Sequence, residues 1–402
     1  MSTACVAQSE ASGELTRHWP AILACFLVAV FGWGFGFSGT SVYLAELQRL
    51  HGWSSATIAS AVTVYYILGG FLLTRVHAAQ ERFGPGRLLT AGVVLLGTGA
   101  TLFCLARQPW QLFPASAVMA AGWAGCTSTA ISTTLAAYFD RKRGLAITLA
   151  LNGASVAGFT IGPILVVLAG SIGIGLAVPL TAAAALVVVL PMIAFGLSRP
   201  TGRLAPRSEA GPESGALLRT WRFWSIALPF ALALAAQVGL IVHLVSLLLP
   251  SLGAAGSAMG LAATSIAAVT GRLGLATVVD RLPQRLASAI SVASQACGLA
   301  LMLGSHGAAW PLYAGCVLFG LSVGNVITYP ALIVQREFPP YAFGAVVGLS
   351  AAVGQFAFAP APAFLGLIHD LSGSYTPVLI LCMALQICAA VLVLRAPRSG
   401  RA

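Results

Sequence analysis

Apolar residues in this chain come in long unbroken runs, separated by short clusters of charge, proline and glycine. Runs of roughly 20 apolar residues are what a helix needs to cross a bilayer. Their continuity, without the alternation of lipid-facing strands, points to helices and not to a barrel. Twelve such segments are predicted: Pro20 to Leu44, Ser55 to His77, Arg87 to Ala106, Pro109 to Tyr138, Gly144 to Leu168 and Gly175 to Leu197, then Phe223 to Leu249, Ser257 to Val279, Gln284 to Gly304, Trp310 to Gln335, Tyr341 to Leu365 and Tyr375 to Arg395. The expected organisation is a tail over 1–19, a six-helix bundle over 20–197, a linker over 198–222, a second six-helix bundle over 223–395 and a tail over 396–402. The linker is the one long polar stretch inside the chain and carries three prolines and seven charges.

Composition agrees with this pattern. Of 402 residues 58% are hydrophobic and only 8% charged, against roughly 25% charged in soluble globular proteins. That excludes an ordinary soluble enzyme, a disordered chain and a secreted disulfide scaffold, and predicts an all-α polytopic membrane protein.

The net charge of +11 is spread over connecting loops. Eighteen of the 21 basic residues fall on one side of the predicted topology, Arg49 and Arg107 fall on the other, and Arg272 lies inside helix 8. Such a bias places the crowded side, and with it both termini, in the cytoplasm. Scattered in this way the charge does not form a nucleic-acid footprint. The expected location is the bacterial inner membrane. Residues 1–19 hold Glu10 and Glu14 and lack the basic start of a signal peptide, so they read as a cytoplasmic tail.

The two halves echo each other. Glu81-Arg82-Phe83-Gly84-Pro85-Gly86-Arg87 follows helix 2, and Asp280-Arg281-Leu282-Pro283-Gln284-Arg285 follows helix 8. A duplicated six-helix unit is a common transporter plan.

With these loops in place the chain resembles the major facilitator superfamily, although His77 stands where the signature of that superfamily has a glycine. Gly52-Trp53-Ser54, the stretch Phe139 to Ala146, Gly271-Arg272, the run Gly348 to Pro362 and Asp370 to Tyr375 resemble the monocarboxylate transporter and oxalate:formate antiporter branch. The resemblance implies two pseudo-symmetric bundles working by alternating access, with the helix 8 arginine binding a substrate carboxylate.

The residues themselves point the same way. Arg272 lies 15 residues after Ser257 and 8 before Asp280, about 22 Å and 12 Å from the two helix ends. A central arginine costs roughly 2.5–3.5 kcal/mol even on the lenient insertion scale. An arriving carboxylate at ~4 Å would return about 4 kcal/mol at an effective dielectric near 20. The bland alternative is an arginine bonded to backbone carbonyls or snorkelling along its helix. In the resembled branch, proton-coupled members carry an aspartate one turn earlier, and the oxalate exchanger has a helix 11 lysine that supplies a second positive charge. Here Ala268 stands at the first place and helix 11 has no lysine. A single cation favours a monoanion, and any proton coupling would need another carrier or the substrate itself.

Further candidates for substrate contact are Asn325 and Tyr329, expected to share a face of helix 10, with Gln355 and Phe358 on helix 11, Gln237 and His243 on helix 7, and Tyr43 on helix 1. Packing and helix–helix hydrogen bonding are equally open to each of these. His243, six residues from the outer end of its helix, is expected in a vestibule and could carry a proton. The inner-loop charges Glu81, Arg82, Arg87, Arg141, Arg143, Asp280 and Arg281 are expected to latch the inward-closed state.

Gly32/Gly36, Gly158/Gly162, Gly320/Gly324 and Gly344/Gly348 show the spacing of close helix packing. Eight cysteines without a CxxC pair predict neither disulfide nor metal, and no cofactor is expected. The reading is a secondary active or facilitative carrier of a small organic monoanion, monomeric as the transport unit. Its alternatives are an exporter of amphipathic compounds and a membrane sensor that binds without moving its ligand.

Overall fold

A computed structural model describes residues 3–139, 142–197, 217–278, 283–339 and 342–395. Among these, helices account for nearly all of the chain, and ten stretches are long and apolar enough to cross a membrane. Their order is α1 (Thr16–His51), α2 (Ser55–Leu73), α3 (Pro85–Cys104), α5 (Arg143–Ile172), α6 (Ile174–Gly196), the stretch Trp221–Leu275, α9 (Gln284–Leu303), α10 (Ala309–Val326), α11 (Ala345–Ser372) and α12 (Thr376–Leu394).

Two features bring ten to the expected twelve. The helical stretch Trp221–Val278 turns at Gly253, whose φ of 66° and ψ of −175° are closed to other residues, three residues after Pro250. It therefore holds two rods, α7 (221–252) and α8 (254–278). The remaining helix, α4, is broken at Thr127 into Leu112–Cys126 and Ser128–Ala136, each too short alone. Thr127 is extended (φ −70°, ψ 165°), and its hydroxyl accepts from the Ala130 amide to cap the second piece.

The breaks repeat between the halves. The first segment of α4 ends at Thr127 and that of α10 at Ile327, 200 positions on; α5 breaks at Thr160 and α11 at Ala359, 199 positions on. The second pieces run over Tyr329–Glu337 and Ala361–Ser372. Matching discontinuities at this offset are the structural form of the loop echo, and the fold is two pseudo-symmetric six-helix bundles.

Two helix ends differ from expectation. The first helix continues to His51, past the predicted stop at Leu44, because Glu46 and Arg49 pair at 2.7 Å one turn apart and extend it beyond its apolar run. Helix 2 ends at Leu73, and a short helix Val76–Phe83 follows after a turn at Thr74-Arg75.

The chain forms two compact units, Met1–Tyr43 with Leu68–Arg207, and Leu44–Ile67 with Ser208–Ala402. In the first, a π-helical turn at Gly34–Ser38 interrupts α1, and Gly34 sits against Ile161 beside the α5 break. In the second, the core is built on Phe223, Ile226, Phe230, Tyr329, Ile333 and Val393. Gly320 and Gly324 of α10 lie on the backbone of α8 at Thr264 and Ala268, as their spacing predicted. Gly348 differs, since a Cβ there would meet open space.

Candidate functional site

Arg272 is half-buried on α8, and the place for its guanidinium is made by a missing side chain. A Cβ added at Gly324 would lie 3.0 Å from Arg272 Nη2 and 3.1 Å from Nε. The next residue, Asn325, is buried, and its Nδ2 donates at 3.2 Å to the carbonyls of Gly271 and Leu321. One bond ties α10 to the residue before Arg272, and the other turns back on α10 itself. Asn325 Oδ1 is buried without a hydrogen-bond partner, leaving an acceptor available beside the arginine's helix.

Tyr329 does not share the face of Asn325 as expected. The helix opens at Ile327–Thr328 between them, where the Thr328 amide bonds back to the Asn325 carbonyl at 2.8 Å. Tyr329 consequently reaches α9, donating to the Ala287 carbonyl at 3.2 Å, and its ring stacks on Phe230.

Gln237 lies in a chain of buried amides joining three helices. Gln295 Nε2 donates to Gln237 Oε1 at 2.7 Å, Gln386 Nε2 donates to Gln295 Oε1 at 2.5 Å, and Gln386 also reaches the Ala233 carbonyl. Gln295 and Gln386 were not singled out in the sequence, because one glutamine in an apolar helix carries no sign of its partners.

His243 is not in a vestibule. It is fully buried, with Nε2 3.0 Å from the Pro362 carbonyl and Nδ1 3.3 Å from the Tyr375 hydroxyl. A carbonyl only accepts, so the proton sits on Nε2 and Nδ1 accepts from the phenol. Distance from a helix end misled here because α11 and Tyr375 cover the ring.

Gln355 and Phe358 of α11 meet α2 at Tyr66. Gln355 Nε2 donates to the Tyr66 carbonyl at 3.0 Å, and the Phe358 ring meets the Tyr66 ring edge-on. Tyr43 is buried in the other unit, its hydroxyl donating across the π turn to the Phe35 carbonyl at 3.1 Å. The structure thus groups Arg272 with Asn325, and puts Tyr329, Gln237 and His243 in other contacts of the same unit.

Of the loop charges, Glu81 and Arg82 are exposed on the short helix Val76–Phe83, with the Arg82 guanidinium over the Phe83 ring. Arg87 and Arg143 are exposed near the starts of α3 and α5. Arg141, Asp280 and Arg281 lie outside the described residues.

Two charged constellations were missed. Arg285 at the start of α9 forks onto Glu337, with Nε and Nη2 at 2.7 and 2.8 Å from the two carboxylate oxygens. It also donates to Ser225 Oγ and the Val393 carbonyl, joining α7, α9, α10 and α12. Asp370, at the end of α11, accepts from the first amides of α2, Ser55 at 3.1 Å and Ala56 at 2.6 Å. A partner 315 positions away leaves no signal in local sequence.

Comparison with known proteins places this geometry. The Major Facilitator Superfamily profile matches residues 24–362. The chain is 24% identical over 354 residues to the MFS-type transporter pynF of Aspergillus niger, covering 83% of this chain and 77% of that one. It is 26% identical over 352 residues to human monocarboxylate transporter 11, covering 80% and 71%. The solved nucleoside transporter NupG superposes with a TM-score of 0.80 at 11% identity, over 94% of this chain and all of that one. Twelve helices with paired breaks, a profile match over most of the length and relatives that are themselves transporters lead to one conclusion: this chain belongs to the Major Facilitator Superfamily and is an integral membrane transporter.

Proposed function

We propose that this transporter moves a small organic monoanion by alternating access, with the substrate carboxylate held by Arg272. The observation that carries the reading is the half-buried guanidinium on α8, given room by Gly324 and set beside the buried Asn325 acceptor. Guanidinium holds a carboxylate through two parallel bonds. The similarity to monocarboxylate transporters supports the same substrate class. One cation favours a monoanion over a dianion, and Ala268 leaves proton coupling to another group or to the substrate.

The basic-residue bias supports cytoplasmic termini, and the inner membrane is the location this reading implies. The inner-loop charges serve turnover, and one chain is the transport unit.

Uptake of labelled lactate, pyruvate, formate and oxalate into proteoliposomes, each with and without an inward proton gradient, tests this reading. Wild type is expected to take up a monoanion and Arg272→Ala to lose that uptake. Arg272→Lys should restore only part, because an ammonium keeps the charge without the paired donors. A folded Arg272→Ala chain that transports apolar compounds as well as wild type would favour the exporter of amphipathic molecules.

A further inference from the structure

An open groove of about 630 Å³ runs along the first compact unit, where the start of α3 meets the end of α6. Its walls are Thr90, Ala91 and Val94 on α3 and Ile193 and Ala194 on α6, with Arg87 toward the loop end. Arg87, Ala91 and Val94 follow one another at helical spacing and share one side of α3. They are exposed, as is Ala194, so in a membrane-spanning chain this groove faces lipid.

The second half shows why the groove is open. The loop echo pairs Glu81 with Asp280, 199 positions on, and the same offset pairs Gly86 with Arg285. Arg285 crosses from α9 to α12, where its Nη1 lies 2.8 Å from the Val393 carbonyl. Gly86 has no side chain to make that crossing, and a Cβ there would only touch Leu197, at 3.6 Å. The position that carries a bridging guanidinium in the second half carries a hydrogen here, and the groove opens beside it.

The charge of this region stands at the mouth instead. Arg87 is the next residue in the chain and is exposed. Together with Arg82 it outnumbers Glu81, the one acid between positions 76 and 94. By the basic-residue bias this end of α3 lies on the cytoplasmic side, where anionic lipids give the leaflet a negative surface potential. An apolar trough that ends at a cation has the two-part chemistry of a phospholipid.

We propose that the groove binds one anionic phospholipid of the cytoplasmic leaflet. Its phosphate lies against the Arg87 guanidinium, within reach of the Thr90 hydroxyl one turn on. One acyl chain lies along Ala91, Val94 and Ala194. Basic pockets between membrane helices on this side recognise such headgroups. The lipid then supplies from outside a joint between α3 and α6, as Arg285 supplies one from within between α9 and α12. A zwitterionic lipid offers the same chains, but its ammonium offsets the phosphate charge, so the discrimination falls on Arg87. The site stands whether or not the chain carries an organic anion.

Photo-crosslinking of the full chain in phosphatidylcholine nanodiscs decides it. The probes are equal trace amounts of phosphatidylglycerol or phosphatidylcholine, each with a diazirine on one acyl chain, and labelled residues are mapped by peptide mass spectrometry. In wild type the phosphatidylglycerol probe should label the two walls of the groove about fivefold more than the phosphatidylcholine probe, the advantage of one interfacial cation. Arg87→Gln should bring the two probes level. Arg87→Lys should keep most of the preference, because an ammonium holds phosphate as a point charge. Ala194→Trp fills the apolar part and should cut labelling of both walls by the phosphatidylglycerol probe at least fivefold. Arg107→Gln, which removes a cation on the other side of the membrane, should leave the wild-type pattern. The replaced side chains are all exposed, so the fold is kept, and unchanged labelling elsewhere on the chain checks this. Equal labelling by both probes in wild type overturns the proposal, since the groove then holds lipid without reading its headgroup. So does a preference that survives Arg87→Gln, or labelling that Ala194→Trp leaves unchanged.

Discussion

Asn325 Nδ2 donates to the carbonyl of Gly271 at 3.2 Å, so α10 holds the peptide immediately before Arg272. Beside the arginine lie a neighbour that carries no charge and a residue, Gly324, that carries no side chain.

Asn325→Ala should therefore weaken substrate binding without touching the guanidinium. A hydrogen bond of this kind contributes about 0.5–1.5 kcal/mol, so KM for the transported substrate is expected to rise by up to about tenfold, with kcat within about twofold of wild type. Uptake kinetics in proteoliposomes check this. A fall in kcat at unchanged KM would move Asn325 from positioning the arginine to the conformational cycle.

The bend between α7 and α8 makes a sharper claim on the backbone. Gly253 adopts φ 66° and ψ −175° with nothing within 4 Å of where a Cβ would sit. Gly253→Ala meets no steric partner, so its whole effect is conformational, about 1–3 kcal/mol for a residue held in that region. Unfolding in mixed micelles should show that loss, and a neutral substitution would mean the turn can relax.

How much of this was legible beforehand follows from the length scale of each signal. The twelve rods were readable because each is a local apolar run, and Arg272 was readable because a lone charge in such a run has no ordinary reason to be there. The break at Thr127 was hidden, since Thr-Ser-Thr within an apolar stretch is compatible with a continuous helix. The end of α1 was misplaced because Glu46 and Arg49 read as a stop in hydropathy yet stabilise the helix by pairing. Contacts such as Ser55 with Asp370, or Arg285 with Glu337, exist only once distant helices are packed.

The Arg285–Glu337 fork gives a stability prediction of its own. The arginine side chain is 11% exposed and the glutamate 26%, so the pair is largely withdrawn from water. Breaking a fully buried pair by removing one partner costs about 3–5 kcal/mol; the remaining exposure of Glu337 reduces that to roughly 1–3 kcal/mol for Arg285→Met. Adding Glu337→Gln should recover part of the loss, since the stranded carboxylate is removed. Thermal unfolding of the two variants in detergent measures this. Equal stability of the single and double variants would show that the arginine's bonds to Ser225 and Val393, not the ion pair, hold the four helices.

The glutamine chain separates a packing role from a substrate role at Gln237. Replacing Gln237 with Leu leaves Gln295 Nε2 without its 2.7 Å acceptor in a site closed to water. A buried donor stranded in this way costs about 1–3 kcal/mol. The triple variant Gln237→Leu, Gln295→Leu, Gln386→Leu removes the stranded groups together and should regain much of that loss. In both, KM for the anion should stay within about twofold of wild type if the amide serves only its helix neighbours. A large rise in KM at near-normal stability would instead return Gln237 to the substrate path, and unfolding curves run beside uptake kinetics on the same preparations separate the two results.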